Sequence, residues 1–318
     1  MTREYSIYHD MELYRRGKID MKEERIPGYP AFSVKEGEYR TFNDDEKVSS
    51  LFPTLQMIER GHITETEIQI ICLVACNKYM TTRQIFEYLT LMGHETKQEK
   101  VLNMVRKLSR NRFLLISHFE DGENRSSYFV ISLDKYGEQV ARQRHVTGFT
   151  FSPFERIDEV WTVKRTLACV QIQLAWLKSG FPVTEMTRRP VMADREAAGV
   201  IVRPNLMIRL SSGEVLWYEV VRSQPFWEKT LADKLARYRM VLRNIERTDY
   251  DGEETPLLIL CAENEIHAAM VREVAEKSGL TEEDLFYTND LQLFGTNFHR
   301  SLYHFNSDGK RQYFEFAL

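Results

Sequence analysis

The sequence predicts a mixed α/β protein, α+β over the whole chain, on three observations. Three helix-like apolar patterns followed by two strand-like patterns lie in residues 61–145. Helix and strand patterns then alternate through residues 151–318. A length of 318 residues suits about two domains of ~100–200 residues each. We therefore expect an N-terminal arm in residues 1–60, followed by one domain in each of these two ranges.

Composition and charge limit the function classes. The chain is 43% hydrophobic and 28% charged, as in an ordinary globular protein. It contains no run of ~18 apolar residues and its first residues lack a signal-peptide core, so we expect a cytoplasmic protein without a membrane partner. The net charge of −4 argues against a uniformly basic surface. Any contact with nucleic acid must therefore come from a local patch.

The cysteine and histidine spacings give little sign of a metal site. Cys72 and Cys76 are one helical turn apart, but no second Cys/His pair follows at zinc-finger spacing. We therefore expect Cys72, Cys76, Cys169 and Cys261 to be buried thiols. A Gly-rich phosphate loop and a nucleophile elbow are also missing, which argues against kinases, P-loop ATPases, dinucleotide enzymes and serine hydrolases.

Residues 1–60 form an arm that we expect to be irregular. Pro27, Gly28 and Pro30 interrupt it, while its aromatic content is high for a linker. Two interpretations stay open: the arm packs on a later domain or a second copy, or it is a partly disordered tail.

The first domain is predicted to begin with three short helices and to continue as a hairpin. Thr64–Glu67 is a capping-box start for the first helix, Thr81–Thr82 precedes the second, and the third runs from about Glu95 to Asn111. Strand patterns at Phe113–Phe119 and Ser127–Leu133 flank an Asp-Gly turn. Three helices followed by a two-stranded ribbon is the layout of a winged helix-turn-helix.

The polar face of the third helix predicts contact with double-stranded DNA. At ~100° per residue, cationic and amide side chains lie opposite the apolar stripe, where they are able to reach phosphates and base edges. Two further arginines, one after the helix and one in the wing loop, would add phosphate contacts. The predicted DNA-binding residues are Lys100, Asn103, Arg106, Lys107, Arg110, Arg112 and Arg125. The alternatives are a merely solvated helix face and a protein-interaction module.

The second domain is predicted to open with a helix at about Pro153–Ser179. A hairpin, a helix, and alternating strands and helices follow, and a C-terminal hairpin is predicted from Leu302–Phe305 and Gln312–Phe316. Within the hairpin, the run Val215–Val221 is apolar on both faces except for Glu219, which is typical of a central strand. A carboxylate in such a strand must be paired, exposed at a strand end, or part of a site.

This stretch resembles the metal-binding signature of the PD-(D/E)XK fold, a restriction-endonuclease-like α/β domain. The Lys-(x)3-Tyr on the next helix resembles the replication-relaxation family, in which a winged helix precedes such a domain. The matching residues are Pro204, Glu219, Arg222, Lys234 and Tyr238. The resemblance covers roughly residues 65–265. It departs at Asn205, where the family has a metal-binding Asp, and at Val221, where it has Asp or Lys.

These departures bear on the chemistry that the resemblance implies. A nuclease of this class needs two or three carboxylates on a magnesium ion and usually a nearby lysine. If the domain is active, Glu219, Lys234, Asn205 and Glu159 are the catalytic candidates and Mg or Mn is the cofactor. We expect instead an inactive domain with no cofactor and no bound metal. Arg222 and Tyr238 would then form a polar cluster beside the old cleft, or Glu219 would simply be ion-paired to Lys234 or Arg222.

The sequence thus predicts a DNA-binding protein. The resemblance implies a role in the replication, mobilisation or transcriptional control of a plasmid or other mobile element, with a protein partner or a homodimer also possible. Two alternatives come from other classes. One is an active metal-dependent nuclease or relaxase, and the other is a protein-interaction scaffold without DNA binding.

Overall fold

The computed structural model confirms the mixed α/β class. It describes residues 32–43, 56–122, 126, 128–147, 149, 151, 157–193, 200–248, 250–252, 255–280, 285–294, 298–306 and 310–314. The described residues divide into two compact units, one from Val34 to Leu174 and one that contains Phe32, Ser33 and the residues from Ala175 onward. Most of the arm, together with Arg125 in the wing loop, lies outside the described residues. None of the described helices is long and apolar enough to cross a membrane.

The helices of the first unit begin at capping sequences that the chain itself supplies. They are α1 (Glu65–Asn77), α2 (Thr82–Leu91), α3 (Gln98–Arg110) and α4 (Lys135–Gln143). Thr64 forms the expected capping box, and Thr81, which was expected only as a cap, forms a second one, because in each helix the side chain at the third position bonds back to the cap. Apolar stripes of α1, α2 and α3 then share one core, which includes Val74, Leu89 and Val105.

A four-stranded antiparallel sheet completes the first unit. Its strands are β1 (Tyr39–Phe42), β2 (Met80–Thr81), β3 (Leu114–Glu120) and β4 (Val130–Leu133), in the order β1-β3-β4-β2. The hairpin of β3 and β4 was expected, but β1 lies within the arm that we expected to be irregular. It pairs with the outer half of β3, from Tyr39 opposite Glu120 to Phe42 opposite Ser117.

A single buried ion pair anchors β1 to the first part of α5 (Val160–Ser179). The Lys164 Nζ atom lies 2.7 Å from a carboxylate oxygen of Glu38, and both side chains are almost fully buried. The same ammonium lies 5.0 Å from the centre of the Phe119 ring in β3. The pair therefore secures the arm strand to the sheet and to the helix together.

The second unit is built on a mixed seven-stranded sheet. Its strands are β5 (Val183–Arg188), β8 (Leu206–Leu210), β9 (Val215–Val220), β10 (Leu257–Ala262), β11 (Leu285–Asn289), β12 (Tyr303–Phe305) and β13 (Arg311–Tyr313), and a separate pair is formed by β6 (Met192–Ala193) and β7 (Ile201–Val202). The order is β13-β12-β11-β10-β9-β8-β5, with β9, β10 and β11 mutually parallel and the other pairs antiparallel. The predicted C-terminal hairpin is therefore an extension of this sheet.

Helices α6 (Trp227–Arg243) and α7 (Glu265–Glu276) pack on one face of the parallel strands, and the short α8 (Asp290–Phe294) follows β11. The shared core contains Trp217 of β9, Leu260 of β10, Leu235 of α6 and Val271 of α7. This packing directs alternate residues of β9 towards α6, and Glu219 is one of them.

Gly137 in α4 gives a test of how closely α4 approaches the end of α3. A Cβ atom at Gly137 would lie 2.0 Å from the backbone oxygen of Phe113. Because this is a backbone atom, the clash is relieved only if the turn after α3 shifts. Alanine normally stabilises a helix interior by about 0.5–1 kcal/mol relative to glycine. We expect Gly137→Ala to do the opposite and to lower the urea midpoint of unfolding, whereas Gln139→Ala in the same helix should leave it nearly unchanged. A more stable Gly137→Ala variant would contradict this packing.

Candidate functional site

The exposed face of α3 carries four side chains that no described residue pairs with: Lys100, Asn103, Arg106 and Arg110. The opposite face is fixed in the core by Val101, Val105 and Leu108, all with zero exposure. The helix is therefore held by its apolar side and offers one amide and three cations to a partner. These are four of the five positions that the sequence predicts on the exposed face of this helix, and their contact with DNA stays a prediction.

Lys107 departs from that prediction. Its Nζ atom lies 2.8 Å from Oε1 of Glu67 in α1 and donates to the His62 carbonyl at 2.6 Å. Glu67 is buried and also accepts the backbone N–H of Thr64. Lys107 therefore ties α3 to α1 instead of facing a ligand. Lys107 lies at the edge of the polar face, from which it is able to reach α1. A helical projection of α3 alone does not show the buried carboxylate of Glu67.

Arg112 is also committed within the unit. It follows α3 in the left-handed backbone conformation, with φ of 59°, and its Nε lies 3.8 Å from a carboxylate oxygen of Asp134. Its carbonyl accepts the backbone N–H of Tyr136. Arg112 thus holds the turn after α3 against the start of α4.

An open depression of about 580 Å³ lies at the first turns of α3. It is lined by Glu95, Thr96, Lys97, Glu99, Lys100 and Asn103. The two carboxylates make this end of the helix less favourable for phosphate. The positive charge of the exposed face is therefore concentrated further along, at Arg106 and Arg110.

In the second unit, Glu219 is ion-paired inside the structure. It is 3% exposed, its Oε1 lies 2.6 Å from Nζ of Lys234, and its Oε2 accepts the hydroxyl of Tyr238 at 3.1 Å. Lys234 and Tyr238 are one turn apart on α6, so both reach the same carboxylate. Burial, and then the Glu219 charge, raise the pKa of Tyr238 well above its ordinary value. Of the two pairings expected for Glu219, the structure has the one with Lys234.

Asn205 stands where the nuclease pattern places a metal-binding aspartate, and its side chain serves the backbone. Its Oδ1 accepts the N–H of Val220 at 2.7 Å, and its own N–H donates to the Tyr218 carbonyl at 2.8 Å. The carbonyl oxygen is therefore occupied in joining the start of β8 to the end of β9. Val221 is buried in the apolar core.

The donors at this position do not fit a divalent metal ion. Glu219 is neutralised by Lys234, and Asn205 and Val221 provide no anion. Among the described residues, no group of three or more His, Cys, Asp and Glu side chains is close enough to hold a metal. Glu159 is an exposed residue of the first unit whose carbonyl accepts the N–H of Val163 at the start of α5.

Arg222 does not share a cluster with Tyr238. Its guanidinium is fully buried and forms two bonds with Asp290, at 2.9 and 3.0 Å, and a third with the Val221 carbonyl. Arg222 follows β9 and Asp290 follows β11, so the pair spans the end of β10 that lies between them. Arg222 and Tyr238 therefore bind different carboxylates and do not share the polar cluster that we expected beside the cleft.

A second polar group around Glu263 was missed in the sequence. Glu263 accepts the backbone N–H of Ser223 at 2.8 Å and its hydroxyl at 3.0 Å, and its own N–H donates to Nδ1 of His267 at 3.2 Å. Burial lowers the pKa of His267 to about 4, against the opposing effect of Glu263. Their positions in the sequence could have revealed this group. Ser223, Glu263 and Asp290 each follow the carboxyl end of a parallel strand, where α/β proteins commonly bind ligands.

Comparison with known proteins adds little to this geometry. No protein-family model matches the chain, and neither does any curated protein. One similar solved structure is the crystal structure of protein VC1899 from Vibrio cholerae, with 12% sequence identity and a TM-score of 0.27. The match covers 81% of this chain and 56% of that one, so the chain spans about half the length of that protein.

The lowered pKa of His267 predicts how the stability of the protein depends on pH. Because its pKa is about 4 in the folded protein and 6.5 ordinarily, the neutral form is favoured by folding. The contribution of neutral His267 to the free energy of unfolding is therefore complete above pH 6.5. The free energy of unfolding falls by up to about 3 kcal/mol as pH falls towards 4. We expect His267→Gln to flatten the fall in urea midpoint across this interval. The exposed His145→Asn control should keep the full slope, and equal slopes in both variants would contradict the assignment.

Proposed function

We propose that the chain is a DNA-binding protein whose first unit is a winged helix-turn-helix. The order of elements supports this: α1, the short β2, α2, α3, and the hairpin of β3 and β4. The pairing of β2 with β4 supports it further, because it joins the segment between α1 and α2 to the hairpin. In this proposal α3 enters the major groove of double-stranded DNA and the hairpin lies on the adjacent backbone.

The observation that carries the proposal is the ridge formed by Asn103, Arg106 and Arg110, whose side chains no described residue pairs with. At 1.5 Å per residue the ridge is about 10 Å long, which is close to the height of three base pairs. Asparagine amides pair with adenine and arginines with guanine or phosphate. Lys100 flanks the ridge as a further phosphate contact, while Lys107 and Arg112 act indirectly by holding α3 in place.

Neighbouring side chains contact the carboxylates at the end of the hairpin. Glu120 is 2.6 Å from Nε2 of His118 and accepts the Tyr39 hydroxyl, and Asp121 is 3.9 Å from Nζ of Lys35. Glu120 accepts hydrogen bonds from His118 and Tyr39, which keep the pKa of that carboxyl low against the opposing effect of burial, so Glu120 stays ionised. Lys35, in the loop before β1, offsets part of the repulsion that Asp121 would exert on a phosphate backbone.

For the second unit we propose a nuclease-like domain that has lost hydrolysis. The internal pairing of Glu219 and the backbone role of Asn205 support the loss, since neither group is left to bind magnesium. A role in the replication, mobilisation or control of a mobile element stays part of this proposal and rests on the family resemblance. One observation favours an active nuclease instead: Glu219 and Lys234 are adjacent, as a catalytic carboxylate and lysine would be.

The test is a fluorescence-anisotropy titration of mixed-sequence duplex DNA at low and moderate salt. Arg106→Glu with Arg110→Glu should weaken binding roughly 30-fold or more, because each such contact contributes about 1–3 kcal/mol, and should reduce the salt slope by about 2. The matched control is Lys229→Glu with Lys277→Glu, which makes the same charge change on exposed residues of the second unit. Lys107 is left intact because its reversal would place two carboxylates together.

Equal losses in the two double variants would show that only net charge matters and would contradict the proposed interface. The same reactions, repeated with manganese and run on a denaturing gel, test the second unit. Intact DNA agrees with lost hydrolysis. Nicking that disappears in Glu219→Gln would establish the nuclease function in its place.

A further inference from the structure

Two thiols lie together on the surface of α1, on an independent part of the molecule from the DNA-binding ridge. Cys72 is half-buried and Cys76 is exposed, and neither is in a disulfide. The expectation of buried thiols is therefore wrong for Cys76. By contrast, Cys169 and Cys261 are 3% and 0% exposed.

The helix fixes the separation of this pair. Residues four apart in a helix have Cβ atoms about 5–6 Å apart on the same face. A disulfide needs Cβ atoms only about 3.5–4.5 Å apart, so an intact α1 disfavours that bond. Two metal–sulfur bonds of about 2.3 Å each, placed in line, separate the two sulfur atoms by roughly 4.6 Å. The two cysteine side chains are able to place their sulfur atoms at this separation.

A cation at this site has to displace tightly held protons. Burial raises the pKa of the Cys72 thiol, and the neighbouring Cys76 raises it further, while Arg144 opposes them, so binding should strengthen as pH rises. Two thiolates this close repel each other, and a cation between them removes that repulsion. Arg144, which pairs with Glu65 at 2.9 Å, lies near enough to offset the remaining negative charge.

We propose that Cys72 and Cys76 form a surface dithiol site for one soft, two-coordinate cation of the Cu(I) class. Thiolate ligands select soft cations of this kind. Binding would replace the two thiol protons by one Cu(I) ion, which gives a bis-thiolate complex of charge −1 and releases two protons to solvent. Structural zinc normally requires four ligands, and the described residues contain no group of three or more that would complete such a set.

The experiment is an anaerobic titration of the full chain against Cu(I) held by the chromophoric chelator bathocuproine. The unaltered chain should remove one equivalent, with thiolate-to-metal charge-transfer absorption and release of protons. Cys76→Ala and Cys72→Ala should each weaken binding at least 100-fold, because one thiolate is lost. The Cys169→Ala and Cys261→Ala controls should retain the site. Thermal unfolding of Cys76→Ala should match the unaltered chain, since that side chain is exposed.

A rescue variant tests the spacing itself. Gln69 precedes Cys72 by three residues on α1, so Gln69→Cys in the Cys76→Ala background recreates a one-turn thiol pair. It should restore most of the lost affinity. Failure of the unaltered chain to compete with the chelator, or full Cu(I) uptake by Cys76→Ala, would overturn the proposal. Neither result depends on whether the chain binds DNA.

Discussion

The first unit depends on one buried carboxylate. Glu67 caps α1 through the Thr64 backbone and pairs with Lys107 of α3, so it sets where α1 starts and how α3 lies against it. Removing one member of such a pair leaves the other charge poorly compensated. The orientation of Asn103, Arg106 and Arg110 follows from this contact, together with the apolar stripe beneath them. A side chain remote from the ridge thus decides what the ridge presents to solvent.

In the second unit, too, the buried carboxylates are paired with neighbouring side chains. Glu219 is bonded to Lys234 and Tyr238, Arg222 to Asp290, and Glu263 to Ser223. These groups lie on or directly after parallel strands, where an α/β protein usually presents ligand-binding side chains. Here they bind one another instead. This is why the carboxylates of this sheet offer a poor site for magnesium, whereas the exposed face of α3 carries cations that no described residue pairs with.

The sequence was informative wherever local rules dominate. Both capping boxes, the hairpin of β3 and β4, and the buried β9 follow from short-range patterns, and the structure has each of them. The pattern was less informative where a partner is distant in the chain. Lys107 and Arg110 are both cations on the polar side of the helical projection. Of these two, Lys107 is the one that pairs with a described carboxylate, which lies 40 residues away in the chain. Likewise Arg222 meets Asp290 from 68 residues away, a pairing that only the strand order brings about.

The strand β1 has a consequence for how the first unit can be isolated. It covers the outer half of β3, so the sheet ends at β1 on one side and at the two-residue β2 on the other, and both edges are short. Short edges resist pairing with other molecules. A fragment starting at residue 61 would lose β1 and Glu38, which exposes the β3 backbone and leaves the buried Lys164 without its carboxylate. Such a fragment would be prone to intermolecular strand pairing, which β1 prevents in the longer chain by covering this edge of β3.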